Sequence, residues 1–216
     1  MREPLLSLSP DGLDWSFASG DRRQGHVLYA PQCSGCQACI PIRLDVLTFR
    51  PTPSQKRAFR VGQQRLDVTI GPPTVDDERV ALFNLHRTAR GLDEGGEAVT
   101  AAGYRHFLVE SCCDSLELAY RCKQTGRLLG IAVADKGTRA LSAVYCHYDP
   151  TVSGLSIGVF SVLQQIELVK QWGMRWLYLG YYIRDCKAMR YKASYQPHEL
   201  RDPDTGEWRL QRSQGS

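Results

Sequence analysis

The stretch LSAVYCHYDPTVSGLSIGVFSVLQQIELVKQWGMRWLYLGYYI, Leu141–Ile183, decides the fold. Its opening residues, with Ala140, read as a strand, and Asp149–Pro150 ends that strand because proline cannot continue a ladder. From Ser156 the period lengthens. Phe160, Leu163, Ile166, Glu167 and Lys170 recur on successive turns, which predicts a helix through about Trp172 with Ser156 as its cap. RWLYLGYYI is then a short aromatic-rich apolar run of the kind buried in a sheet.

Working outward, Leu116, Leu118, Tyr120 and Cys122 alternate with polar residues, and KQTGR turns tightly into LLGIAVAD, which predicts a hairpin. Upstream, Asp76–Arg90 reads as a helix with three acids in its first turn, and Thr100 caps a second one. Downstream, a short helix is expected around Asp185–Tyr191 and a last strand near Glu207–Leu210. The first 70 residues are punctuated by proline, glycine and cysteine and show no long helical period. GPPT at Gly71–Thr74 then reads as a linker. The expected organisation is therefore a Cys-containing N-terminal region over 1–70 and a larger domain over 71–216. Two helices, three meandering strands, a central helix and a further strand is the element order of the acetyltransferase-like (GNAT) fold. The fold class expected is α+β, a mixed and mostly antiparallel sheet flanked by helices.

At 216 residues, 43% of them hydrophobic and 23% charged, the composition is that of a globular protein. No apolar run approaches the roughly 20 residues that span a bilayer, and MREPLLSLSPDGLDW lacks a leader pattern, so a cytoplasmic location is expected. The net charge of +4 is unevenly spread: Arg43, Arg50, Lys56, Arg57, Arg60 and Arg65 face only Asp45, and Arg184, Lys187, Arg190 and Lys192 only Asp185. Such runs suit a polyanion, or else a solvated surface. Cys33, Cys36 and Cys39 are clustered among eight cysteines, a spacing able to hold zinc or an iron–sulfur cluster, or to remain three reduced thiols.

Several ordered motifs together resemble the arginyltransferases and the bacterial aspartate/glutamate leucyltransferases, a family of aminoacyl-tRNA–protein transferases. They are V-Y-x-x-Y-D-P (Val144–Pro150), L-S-x-G-V (Leu155–Val159), L-G-Y-Y-I (Leu179–Ile183) and C-x-x-M-R-Y-K (Cys186–Lys192). Upstream, CSGCQACIPIR and FRPTPSQKRAFR match the family's cysteine-rich entry and its basic stretch, and the similarity runs from about residue 25 to 200. Two departures stand out: no cysteine precedes Cys33, and VGQQ (Val61–Gln64) replaces a basic ending.

The resemblance implies transfer of leucine or arginine from aminoacyl-tRNA to the α-amino group of proteins with an acidic N-terminus, marking them for degradation in the N-degron pathway. An aminoacyl ester is already activated, so the reaction needs no cofactor. It needs a positioned neutral amine, a proton acceptor and a donor to the oxyanion. Tyr148 or Tyr145 is the expected hydroxyl donor and Asp149 the expected holder of the incoming ammonium, unless Asp149 merely starts the Asp–Pro turn. Ser156 and Gly158 offer backbone N–H groups to a phosphate, or a plain cap. Of Tyr181 and Tyr182, which alternate on one strand, at most one lines the cleft, and Tyr182 is the candidate. Arg190 and Lys192 are expected on the tRNA backbone or acceptor end. Arg43, Lys56 and Arg57 are candidates for the acidic acceptor residue, with SQKR as an alternative grip on tRNA phosphates. Any metal would sit on Cys33, Cys36 and Cys39.

Three rival readings remain open. A GNAT enzyme using acyl-CoA needs a pyrophosphate turn before the central helix, but the one R-x-x-G-x-A match, Arg127–Ala132, lies in the hairpin. A zinc-dependent nucleic-acid-binding module leaves the YDP and LGYYI motifs unexplained. A relative dedicated to one peptide substrate is the third.

Overall fold

In the computed structural model, which describes residues 8–93, 95–152 and 154–212, the chain opens with α1 (Pro10–Ser19) and the hairpin β1 (Arg22–Gln24) and β2 (Val27–Tyr29). It continues through β3 (Ile40–Asp45), α2 (Pro53–Arg65), β4 (Leu66–Gly71), α3 (Asp77–Ala89) and α4 (Ala101–Tyr104), the last prolonged by a wider turn over Arg105–Val109. Next come β5 (Ser115–Cys122), β6 (Leu128–Lys136), β7 (Ala140–Tyr148), α5 (Ile157–Gln171) and β8 (Trp176–Tyr182). Last are α6 (Lys187–Arg190) with a 3₁₀ turn over Tyr191–Ser194, β9 (His198–Arg201) and β10 (Trp208–Gln211). Residues 1–7, part of the stretch lacking a leader pattern, lie outside the described residues. Among the described residues no helix is long and apolar enough to cross a membrane.

The expected α+β fold of the acetyltransferase type is present. Eight strands form one sheet in the order β10-β9-β3-β8-β7-β6-β5-β4, antiparallel throughout except for β7 beside β8. On one face α2 and α5 cover Leu44, Leu118, Leu141, Leu177 and their neighbours, while α3 and α4 cover Ile131 and Val133 on the other. Helix α1 joins that second face through Leu13 and Phe17 against Ala140 and Tyr178. The helix and strands of Leu141–Ile183, the 116–135 hairpin and the cap at Thr100 form as their patterns predict, while Asp76, expected in the first turn of its helix, is instead the N-cap of α3.

Two parts of the first 70 residues depart from expectation. Helix α2 was not anticipated, although Thr52-Pro-Ser-Gln55 closes a capping box in which each side chain takes the other's backbone N–H. Its apolar face is narrow because it docks through a glycine: a Cβ on Gly62 would lie 2.1 Å from the Phe160 ring. Strand β3 sits between β8 and β9, and β4 forms the sheet's edge, so residues 40–71 share the sheet with the rest of the chain. The expected boundary at 70/71 coincides with the last residue of β4.

Strands β7 and β8 pair only over Ala140–Ser142 and Trp176–Tyr178. Just beyond, each carries a register shift against its other neighbour, at Ala143–Tyr145 on β7 and Tyr178–Gly180 on β8. Bulges bend strands, and here they part the two. The gap is filled by Arg22 from β1, whose guanidinium donates to Ser142 Oγ (3.0 Å), the Ala143 carbonyl (2.5 Å) and the Val144 carbonyl (3.2 Å). Gly180 makes room for it: its φ is +84°, and a Cβ there would stand 3.0 Å from Arg22 Cζ. Gly180→Ala is therefore expected to lower the unfolding free energy by about 1–3 kcal/mol in urea titration, through strain plus displacement of Arg22. Unchanged stability would show that the gap does not depend on this fit.

Candidate active site at the parted strands

At the open end of the gap, the last residue of β7 is held on every side. The Tyr148 hydroxyl accepts a hydrogen bond from Arg90 Nη2 at 2.6 Å, and the His86 ring lies edge-on to it at 4.7 Å. A Cβ on Gly158, in the first turn of α5, would be 3.3 Å from the Tyr148 ring. His86 in turn places Nδ1 2.9 Å from the Tyr148 carbonyl oxygen, and burial lowers its pKa, with Arg90 adding to the effect. Across the gap, Lys192 Nζ donates to the Tyr181 carbonyl at 2.7 Å. Burial, then the Arg22 guanidinium, push its pKa down to about 7. Tyr191, which precedes Lys192 in the chain, keeps about half of its surface exposed.

Tyr148 and Gly158 thus meet at one edge of the gap, while Lys192 is held on Tyr181 of β8, beyond the last residue of that strand that pairs with β7; Tyr182 is half-buried in the same core that Tyr148 and Val159 pack against. Arg190 is exposed on α6, beside this group in the chain. Ser156 stands at the N-cap of α5, but its side chain makes no capping bond, so the expected side-chain cap is absent.

Other candidates lie elsewhere. Tyr145 points to the opposite face, against Phe83, Phe107 and His147, because residues 145 and 147 alternate with 146 and 148. Asp149 is buried with both oxygens engaged: Oδ1 accepts from the Thr151 N–H (2.9 Å) and hydroxyl (2.6 Å), and Oδ2 from Arg127 (2.9 Å). That is the turn-starting alternative, and it also occupies the arginine of the R-x-x-G-x-A match. Arg43 is clamped by Glu199 at 2.7 Å and sandwiched by Trp176 and Trp208. Lys56 and Arg57 are exposed on α2, where Lys56 borders a shallow hollow with Phe59, Leu163 and Glu167.

Cys33 and Cys36 are exposed and Cys39 is partly buried; burial and the other two thiols raise the Cys39 pKa. The nearby histidine, His26, faces Glu110 at 3.8 Å. Among the described residues no three histidine, cysteine or acidic groups are arranged to hold a metal. As placed, these residues do not fit a zinc ion or cluster.

Sequence reasoning missed Arg22, His86, Arg90 and Tyr191. The paired Arg22–Arg23 beside the QGH turn was the available signal for the first. The others lie on elements whose periods were read correctly but whose facing could not be.

Comparison with known proteins bears on what this arrangement does. The family models described as "Arginine-tRNA-protein transferase, N terminus" and "Arginine-tRNA-protein transferase, C terminus" match residues 2–57 and 78–202. An aspartate/glutamate leucyltransferase of Saccharophagus degradans is 40% identical over 84% of this chain and 76% of its own length. Proteins of the same name from Chromobacterium violaceum and Halorhodospira halophila are 38% and 37% identical, over 84% and 92% of this chain and 74% and 84% of theirs. Among solved structures, the C-terminal domain of a putative lysylphosphatidylglycerol synthetase from Agrobacterium fabrum superposes with a TM-score of 0.51 at 11% identity, which shows a shared fold. The match covers 82% of this chain and about half, 54%, of that one.

Replacing Asp149 by Ala is expected to cost about 1–3 kcal/mol of stability, because it leaves the Thr151 N–H and Arg127 without their partner. Chemical denaturation measures this; an unaltered midpoint would remove the turn role.

Proposed function

The chain belongs to the arginine-tRNA–protein transferase family, and from that premise we propose that it transfers leucine from leucyl-tRNA to the α-amino group of proteins beginning with aspartate or glutamate. The names of the curated relatives support leucine as the donated residue and acidic residues as the acceptors. In this role the protein acts in the N-degron pathway.

The observation that carries the site assignment is the clamped Tyr148. A hydroxyl that accepts from Arg90 has its own proton free to donate outward, so Tyr148 is the group we assign to the developing oxyanion of the ester. The first turn of α5, uncapped by Ser156 and bare of a side chain at Gly158, offers N–H groups to the terminal phosphate of the tRNA. The exposed cations Lys56, Arg57 and Arg60 of α2, and Arg184, Lys187 and Arg190 near α6, supply contacts to the tRNA backbone. We assign no chemical step to Tyr145, Asp149 or Arg43, whose groups are engaged elsewhere. None is routed through a metal on Cys33, Cys36 and Cys39.

Transfer of radiolabelled leucine or arginine from charged tRNA to peptides beginning with Asp, Glu or Ala tests the reading. Leucine incorporation confined to the acidic peptides is expected, and it should fall steeply with salt. Incorporation of arginine alone, or of neither, overturns it. Tyr148→Phe is expected to lower kcat about 10²-fold with KM little changed, the usual size of one lost oxyanion donor. A kcat equal to that of the unaltered protein would remove Tyr148 from the chemistry.

A further inference from the structure

Lys192 is the buried residue of the 3₁₀ turn Tyr191–Ser194, with 9% of its surface exposed. Its amine donates to the Tyr181 carbonyl and lies 3.3 Å from Met189 Sδ, and among the described residues it forms no ion pair. An ammonium so placed has lost most of its water and gained a single neutral oxygen, so its charged form is disfavoured. The groups that act on it from the packed elements are the Arg22 guanidinium on β1, which disfavours the charge, and the Cys186 thiol in the loop before α6, which favours it. A neutral amine can still donate to the Tyr181 carbonyl while its lone pair stays free. Tyr181 lies on β8 beyond Tyr178, the last residue that pairs with β7, so the amine it holds stands where the two strands part.

We propose that Lys192 Nζ takes the proton from the α-ammonium of the acceptor protein, as the general base of the transfer. This rests on the aminoacyl transfer reading above. The acceptor's R–NH₃⁺ gives one proton to the Lys192 amine and becomes R–NH₂. Its lone pair forms a C–N bond to the ester carbonyl carbon, and the carbonyl π electrons move to oxygen, where the Tyr148 hydroxyl meets them. Collapse breaks the C–O bond to the tRNA ribose, and that oxygen leaves with the proton held by Lys192. The new amide nitrogen sheds its extra proton to water, so one proton is released per turnover. An α-amino group titrates near 8 and a base near 7 suits it at neutral pH.

The burial has a stability signature as well. Its cost is fully present below pH 7, where both folded and unfolded chains hold the proton. It is relieved as pH rises from 7 towards 10.5, because over that window only the unfolded chain keeps it.

The test compares the unaltered protein with Lys192→Met and Lys192→Arg in single-turnover transfer from leucyl-tRNA to an Asp-initiated peptide, from pH 6 to 9. Both variants are expected to be slowed about 10²-fold or more at pH 7. The deficit should narrow about fivefold between pH 7 and 8, as the acceptor ammonium loses its proton unaided. A loss equal at every pH marks a structural role and overturns the proposal. So does a raised KM for the Asp peptide, but not an Ala peptide, with kcat kept, which would mean that Lys192 pairs with the acidic side chain. Full activity in Lys192→Met overturns it too. Should the variants fail to fold, NMR titration of the Lys192 ε-carbon in the unaltered protein decides: a midpoint near 7 supports the base, one near 10 overturns it. Absence of transfer by the unaltered protein would instead sink the functional reading itself.

Discussion

Two neighbouring strands that part company leave backbone groups facing an apolar gap, and everything near the candidate site depends on how that gap is filled. Unpaired buried carbonyls cost about 1–3 kcal/mol each. Arg22 meets the carbonyls of Ala143 and Val144 and the hydroxyl of Ser142 with one planar fork, a task a point-like ammonium would do poorly. Its neighbour Arg23 fixes the hairpin from the other side, pairing with Asp135 at 2.9 Å with both side chains 1% exposed. Two consecutive residues therefore knit a two-stranded hairpin into strands more than a hundred positions away. Placed there, the guanidinium has no carboxylate partner among the described residues, and it leaves a fixed positive charge in the gap.

That charge shapes the chemistry around it. Any ammonium approaching the parted strands meets a like charge in surroundings that screen it weakly, and both effects favour the neutral amine. Lys192 records this in its own lowered pKa. The oxyanion proposed at Tyr148 has the opposite sign and would be favoured by Arg90, which holds that hydroxyl. A site for aminolysis of an ester wants this combination, neutral nucleophile and negative intermediate.

Much of the fold was legible because it is local. Alternation in β5 to β7, the long period of α5 and the cap at Thr100 are read from neighbours in the chain. Helix α2 was missed because its contact surface is an absence, the bare α-carbon of Gly62 against Phe160, which no hydrophobic period reports. Strand β9 was missed because four residues, HELR, carry too short a pattern. In the candidate site, Tyr148, Gly158 and Lys192 are singled out by the motifs that hold them. Their facing was not readable: Tyr145 and Tyr148 are three apart on a strand, and alternation separates them. Arg43 looked free because Glu199, Trp176 and Trp208 reach it only through the folded sheet. Lys192, expected on the tRNA backbone or acceptor end, is instead buried in the turn after α6 and bonded to the Tyr181 carbonyl, a placement that no neighbour in the chain reports.

Tyr148 shows how this scaffold turns packing into positioning. Its ring is bounded by Gly158 on α5 and by His86 on α3, and its Cβ lies 3.2 Å from where a Cβ on Gly130 would be. Arg90 fixes the hydroxyl. Gly158 matters here for what it lacks, since any side chain would push either the ring or the helix away. The placement of α5 is itself set at a second glycine, where Gly62 admits Phe160, so a contact on the far helix helps to fix the distance between the α5 N-terminus and Tyr148. A phenol held at its ring, its base and its oxygen has little rotational freedom left to lose when the transition state forms. The cost of ordering it falls in folding and not in the reaction, which suits this hydroxyl to the oxyanion-donor role proposed for it.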